Sequence, residues 1–207
     1  MTEEYDADYC EKLDRTWTNA FVSKRGWVHH HLGTPTDLID QFAQSIPGTE
    51  MLDAGCGWAR YVSCFINRGL DYRGIDLSEE AIRYARTSNP ALAFEVGNCR
   101  TFPYKANSFD GVWSCCTLGT VPKRYTTDIL KERRRVLRPG GVLMEITPMP
   151  PYCISEEYMD FEDGNPRIYR AYYDLEELLR YVAAVGFEIM DSKVDYETGS
   201  QHVLARA

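Results

Sequence analysis

Met51-Leu52-Asp53-Ala54-Gly55-Cys56-Gly57 runs from an apolar pair into two glycines, and Tyr61, Val62, Cys64, Phe65 and Ile66 then recur at helical spacing towards Gly69. This reads as a strand, a tight turn and a helix that a glycine can close. Glycines at such a turn let backbone N–H groups and the helix N-terminus come close to a ligand, because no Cβ blocks the path. Asp76 follows at the end of the next apolar run, Tyr72-Arg73-Gly74-Ile75. A carboxylate there can accept both hydroxyls of a ribose, so an adenosine-bearing ligand is expected. Arg60 occupies the third glycine position of a G-x-G-x-x-G fingerprint, and a dinucleotide therefore fits poorly.

Outward from this turn, short apolar runs alternate with amphipathic stretches from Glu50 onward. That is the pattern of a sheet wound with crossover helices, and the fold class is α/β. Ser78 is placed to cap a helix that carries Glu79 and Glu80 in its first turn. Residues 91–96 form a third strand and 108–114 a fourth. A helix from about Tyr125 to Leu137 stops at Pro139-Gly140-Gly141, and Val142 to Ile146 is the fifth strand. Asp174 and Glu177 form a capping box, after which Leu175, Leu178, Leu179, Val182 and Val185 keep helical spacing until Gly186. Residues 187–194 and 202–205 close the chain as strands able to pair as a hairpin.

Ahead of the sheet, helices are expected near 6–22 and 36–44, with Pro35 opening the second, as a cover over the site. The chain reads as one domain over 1–207. Its parts are a helical cover (1–49), a cofactor-binding core (50–147), a substrate lid or loop (148–173) and a closing helix and hairpin (174–207). A length of 207 residues suits one substantial core.

The net charge of −8, from 23 basic and 31 acidic residues, disfavours a broad phosphate-binding surface, so nucleic acid is not an expected partner. Lys131-Glu132-Arg133-Arg134-Arg135 reads as a solvated helix end, where cations are favoured. Met1 to Cys10 is polar and acidic, and no run approaches the ~18 apolar residues of a membrane span. A cytoplasmic protein with no membrane partner is expected; nothing in the sequence speaks to oligomeric state. The seven cysteines show no CxxC spacing, which suits reduced thiols and no metal.

In order the chain carries Leu52-Asp53-Ala54-Gly55-Cys56-Gly57, Gly74-Ile75-Asp76-Leu77-Ser78, Val96-Gly97-Asn98-Cys99, Phe109-Asp110-Gly111-Val112-Trp113-Ser114 and Val136-Leu137-Arg138-Pro139-Gly140-Gly141. This series resembles the class I methyltransferases that use S-adenosylmethionine, in particular the small-molecule, type 11-like group, from about Met51 to Ile146. The resemblance implies a Rossmann-like fold with a mostly parallel seven-stranded sheet and helices on both faces. It implies S-adenosylmethionine as cofactor and S-adenosylhomocysteine as product. Asp53, Gly55 and Gly57, with Cys56 between them, would line the amino-acid and ribose end, and Asp76 would bind the ribose hydroxyls. Leu77 would flank the adenine, Asn98 would accept from its amino group where the family usually has aspartate, and Cys99 would sit against the ring. Ser114, Cys115 and Cys116 would face cofactor or substrate at the carboxyl edge of the sheet. Relatives often carry a histidine a few residues further on, where this chain has Thr117, Leu118 and Gly119; Arg133 also stands where an apolar residue is common.

A sulfonium methyl is already electrophilic, so the protein need only hold a nucleophile in line with it and exclude water, with a base where a proton must leave. Candidate bases are His29, His30 and His31, with His30 first, beside Trp27 as a substrate contact; a packing or surface cluster is the plainer reading. The lid holds Tyr169, Tyr172 and Tyr173, the substrate candidates, near Glu156, Glu157 and Asp160. Aromatic faces with carboxylates suit a cationic or polar small molecule, although tyrosines packed on a core with acids in water give the same pattern. The expected reaction is methyl transfer to a nitrogen or oxygen of a small molecule by in-line displacement. The alternatives are transfer to tRNA or protein, and a non-catalytic protein that binds the cofactor.

Overall fold

The computed structural model describes residues 35–149, 155–159 and 168–207, so the expected helix near 6–22 lies outside them. Strand β1 (Glu50–Ala54) is buried from Met51 onward, as a central parallel strand must be. It pairs in parallel with β2 (Asp71–Asp76) on one side and β4 (Phe109–Cys115) on the other. β3 (Ala93–Val96) continues beyond β2, and β5 (Leu137–Pro148) beyond β4, again in parallel. A separate antiparallel pair joins β6 (Glu156–Met159) to β7 (Ile168–Ala171). The closing hairpin of β8 (Glu188–Asp195) and β9 (Ser200–Arg206) adds to β5 with β9 antiparallel. Among the described residues the main sheet has seven strands in the order β3-β2-β1-β4-β5-β9-β8. The direction of winding reverses between β1 and β4, and such a sheet receives its ligand in the crevice outside their carboxyl ends.

Helices cover both faces. On one lie α1 (Thr36–Ser45), α2 (Val62–Ile66) and α3 (Glu79–Ser88), over Ile39, Phe42, Phe65, Trp113 and Met144. Phe42 and Phe65 meet Trp113 edge-on, with ring centroids 5.5 and 5.2 Å away. On the other lie α4 (Thr126–Val136) and α5 (Leu175–Ala184), over Leu52, Val112, Leu130, Leu143, Leu178 and Val203. The cap residues act as their types dictate. Ser78 Oγ accepts from Ala81 N at 3.3 Å, and Asp174 Oδ1 accepts from Glu177 N at 2.7 Å.

Several expectations are corrected. The expected cover helix, α1, lies against the sheet: Ile39 and Phe42 are wholly buried, and a Cβ on Gly111 would stand 2.6 Å from the Phe42 ring. The helix after the glycine turn is only five residues long, and Gly69 closes the following turn with φ +77. The stretch 148–173, expected to be a lid or loop, contains the β6–β7 pair. β5 begins at Leu137, ahead of the expected break at Pro139-Gly140-Gly141; Gly140 takes φ +79, and the pairing with β4 shifts register between Phe109 and Gly111. Among the described residues no helix is long and apolar enough to cross a membrane.

Candidate active site

The glycine turn is pinned to the neighbouring strand: Gly55 N and Cys56 N both donate to Ile75 O, at 2.8 and 3.1 Å. Gly55 takes φ +86 and Gly57 φ +51, conformations that side chains with a Cβ seldom adopt. The two glycines face different surroundings. A Cβ on Gly55 would lie 1.9 Å from Thr117 Oγ1, because the Thr117 hydroxyl donates to Ala54 O at 2.9 Å and latches the end of β4 onto the turn. A Cβ on Gly57 would meet nothing within 4 Å, so this glycine fronts open space. Asp76 holds the other side, Oδ2 accepting from Gly57 N at 2.8 Å and Oδ1 from Ser78 N at 2.9 Å.

Beneath the turn, Asp53 is 4% exposed and accepts from the Tyr72 hydroxyl at 2.7 Å. Burial pushes its carboxyl up to about 7; the Tyr72 hydrogen bond opposes this and the Asp76 charge adds to it. Cys56, expected among the cofactor contacts, turns its side chain away: its Sγ would stand 2.8 Å from a Cβ on Gly74. Burial holds its thiol well above the usual range. Leu77 is half-buried at the carboxyl end of β2. Asn98 Oδ1 accepts from Arg100 N at 2.9 Å, which sets its side chain in a local turn. Cys99 is half-buried and packs against the core on the α4 side.

At the end of β4, the expectation for Ser114 is overturned. Its side chain is wholly buried, Oγ donating to Glu145 Oε1 at 3.1 Å and accepting from Arg133 Nη2 at 2.9 Å, so it cannot meet a ligand. Arg133 and Glu145, both fully enclosed, form a direct ion pair between α4 and β5. This also corrects the reading of 131–135 as a wholly solvated helix end. Burial pushes the Glu145 carboxyl up, against the pull of Arg133 and Ser114. Cys115 and Cys116 are half-buried at the edge itself, with Sγ atoms 4.0 Å apart.

The tyrosines expected to meet a substrate are mostly closed off. Tyr173 is wholly buried, shares a hydrogen bond with Thr126 Oγ1 at 2.7 Å and has Lys123 Nζ 4.7 Å from its ring centroid, so it is a core residue. The Tyr169 hydroxyl donates to the Glu156 carboxylate, and Tyr172 is 9% exposed. β7 runs beside the turn at Leu118–Thr120, where a Cβ on Gly119 would stand 3.2 Å from Ala171 O. Trp27, His29, His30 and His31 lie outside the described residues. Sequence reasoning missed Tyr72, Thr117 and Glu145. Tyr72 lies on a recognised strand, but nothing local marks the other two as partners of Ala54 or Arg133. Among the described residues, no three His, Cys, Asp or Glu side chains gather to hold a metal ion.

Residues 52–144 match the family model described as a methyltransferase domain. The 27-O-demethylrifamycin SV methyltransferase of Amycolatopsis mediterranei is 29% identical over 153 residues, 67% of this chain and 54% of that protein. The chain thus spans about half the length of this curated relative. Among solved structures, a methyltransferase dependent on S-adenosylmethionine from Methanosarcina mazei superposes with a TM-score of 0.71 at 23% identity, over 82% of this chain and 96% of that one. The Burkholderia thailandensis 1,6-didemethyltoxoflavin-N1-methyltransferase, solved with bound 1,6-didemethyltoxoflavin and S-adenosylhomocysteine, gives a TM-score of 0.74 at 16% identity, over 96% of this chain and 88% of that one. The strand order and the glycine turn agree with the matched methyltransferase domain, and the fold is that of the structurally similar methyltransferases dependent on S-adenosylmethionine.

Proposed function

We propose that this protein binds S-adenosylmethionine across the β1–β4 crevice and transfers its methyl group to a nitrogen or oxygen of a small molecule. One observation carries the reading: Asp76 is fixed by the N–H groups of Gly57 and Ser78, beside a glycine whose missing side chain leaves open space. The residues fit the cofactor. Asp76 presents a charged acceptor for two ribose hydroxyls, Gly55 and Gly57 supply the close approach, Leu77 and Cys99 offer apolar flanks, and Asn98 offers an amide to the adenine edge. Asp53, held up to about 7, gains a strong electrostatic partner when a cationic amino group arrives, and its proton then leaves. When bound, the cofactor supplies an electrophilic methyl on a sulfonium. The protein's part is to hold the acceptor in line and keep water out. Cys115 and Cys116 stand at the edge where the acceptor approaches, and His30 with Trp27 remains the candidate for a base and substrate contact ahead of the sheet.

A small-molecule acceptor is supported by the relatives' names, which include an O-demethylated rifamycin and the N1 position of a toxoflavin precursor. The net charge of −8 argues against a tRNA acceptor. Calorimetry with S-adenosylmethionine and S-adenosylhomocysteine tests the cofactor, with binding of both expected; binding of neither overturns the reading. Isotope transfer from labelled cofactor to amine, phenol and carboxylate acceptors tests the substrate class. Methylation of amines or phenols is expected, and labelling confined to carboxylic acids sinks that class.

A further inference from the structure

Adjacent side chains on a strand normally point to opposite faces, which keeps neighbouring thiols apart. At the end of β4 the backbone departs from this rule. Cys116 has φ +62, a left-handed conformation rare for a residue with a side chain, and the kink brings its Sγ to 4.0 Å from that of Cys115. The kink is held on both sides, since Cys116 N donates to Ile146 O at 2.8 Å and the Thr117 hydroxyl to Ala54 O at 2.9 Å. Both residues are half-buried on the rim of the crevice.

We propose that Cys115 and Cys116 form a vicinal dithiol that a peroxide oxidises to an intrachain disulfide, a modification site on the crevice rim. The Cys116 thiolate attacks the O–O bond, becoming a sulfenic acid and releasing hydroxide, which takes up a proton to leave as water. The Cys115 sulfur then displaces the sulfenic hydroxyl, the S–S bond forms and a second water departs. Two thiols lose two electrons and two protons, and hydrogen peroxide is reduced to two waters. The division of roles follows the surroundings. The Cys115 hydrogen bond and the Arg170 guanidinium lower the Cys116 pKa against burial and the Glu145 charge, whereas Cys115 is held well above its usual range by the same hydrogen bond, burial and the nearby Asp53 and Glu145. Adjacent Cα atoms are only ~3.8 Å apart, closer than the ~4.4–6.8 Å usual across a disulfide. The bond is therefore readily reduced. Ring closure pulls on the Thr117 latch and the glycine turn; this consequence alone rests on the proposed methyl-donor site.

The test treats the full chain with graded hydrogen peroxide and follows intact mass and peptide maps. A loss of about 2 Da confined to the Cys115–Cys116 peptide, reversed by dithiothreitol and absent in Cys115→Ser and Cys116→Ser, is expected. Sulfinic acid at Cys116, pairing of either cysteine with a third, or no loss overturns the proposal. Phenylarsine oxide, which needs two thiols, gives a second measurement: it should bridge the native chain and neither variant. Calorimetry with S-adenosylhomocysteine should show affinity falling about tenfold or more on oxidation and recovering on reduction. A mass loss with unchanged affinity removes the consequence and leaves the modification standing. Binding by neither redox form, with the mass loss present, refutes the methyl-donor reading instead.

Discussion

Replacing Arg133 by methionine keeps much of the side-chain volume and removes the charge facing Glu145. Both partners are fully enclosed, so the variant leaves a carboxyl buried without its counter-ion, which costs about 3–5 kcal/mol. For a chain of this size each kcal/mol moves the melting temperature by roughly 2–4 °C, giving a fall of roughly 6–20 °C. The loss should grow as pH rises, because burial without Arg133 favours the protonated carboxyl and that preference opposes stability once the unfolded chain ionises. Adding Glu145→Leu removes the stranded charge but leaves the Ser114 hydroxyl without either partner, about 1–3 kcal/mol. Adding Ser114→Ala should bring the triple variant to within about 2 kcal/mol of the native protein, or above it. Urea unfolding followed by circular dichroism, at pH 6 and pH 8, reads all four proteins. A single variant losing less than about 1 kcal/mol, or a triple variant no more stable than the single, refutes the reasoning.

Asp76→Ala should weaken S-adenosylhomocysteine binding by about a hundredfold or more, since two hydrogen bonds to a charged acceptor are lost; unchanged calorimetric affinity removes Asp76 from the site. Gly57→Ala should cost about 1–2 kcal/mol through its φ of +51 and abolish cofactor binding, because its methyl enters the open space. Gly55→Ala should be the less stable of the two, because its methyl meets Thr117 Oγ1; the reverse order of melting temperatures sinks this distinction. Asp53, raised from 3.8 to about 7, contributes stability that is present below pH 4 and lost as pH rises through 7, up to about 4 kcal/mol. Asp53→Asn should flatten the fall in urea stability between pH 5 and 8, and an unaltered slope shows the carboxyl to be ionised throughout.

The elements most legible in the sequence were those whose signals are local. Ser78 and Asp174 cap helices through their own side chains, and β1 announces itself by an apolar run into glycine. The β6–β7 pair was hidden because its strands are spaced by tyrosines and acids that also suit a loop. The placement of α1 was not legible because amphipathicity shows that a face is buried, not against what. At the site, Asp76 followed from its position at a strand end, whereas Ser114 was misread because its alternation in β4 puts it on the α4 side, behind the edge. Arg133 looked anomalous for the same reason. Its partner Glu145 lies on another element, and only the pairing of β4 with β5 brings Ser114 opposite Glu145.

That pairing has a bearing on how faithfully the sheet assembles. If β4 slipped by one residue along β5, every side chain would change faces, and Ser114 would enter the apolar layer of Phe42, Phe65 and Trp113. Glu145 and Arg133 would then each lose the hydrogen bond that the Ser114 hydroxyl makes to them, and that hydroxyl would be buried among aromatic rings. The triad at the sheet's centre thus favours this register over a slipped one, which a core of aliphatic residues alone would distinguish less sharply.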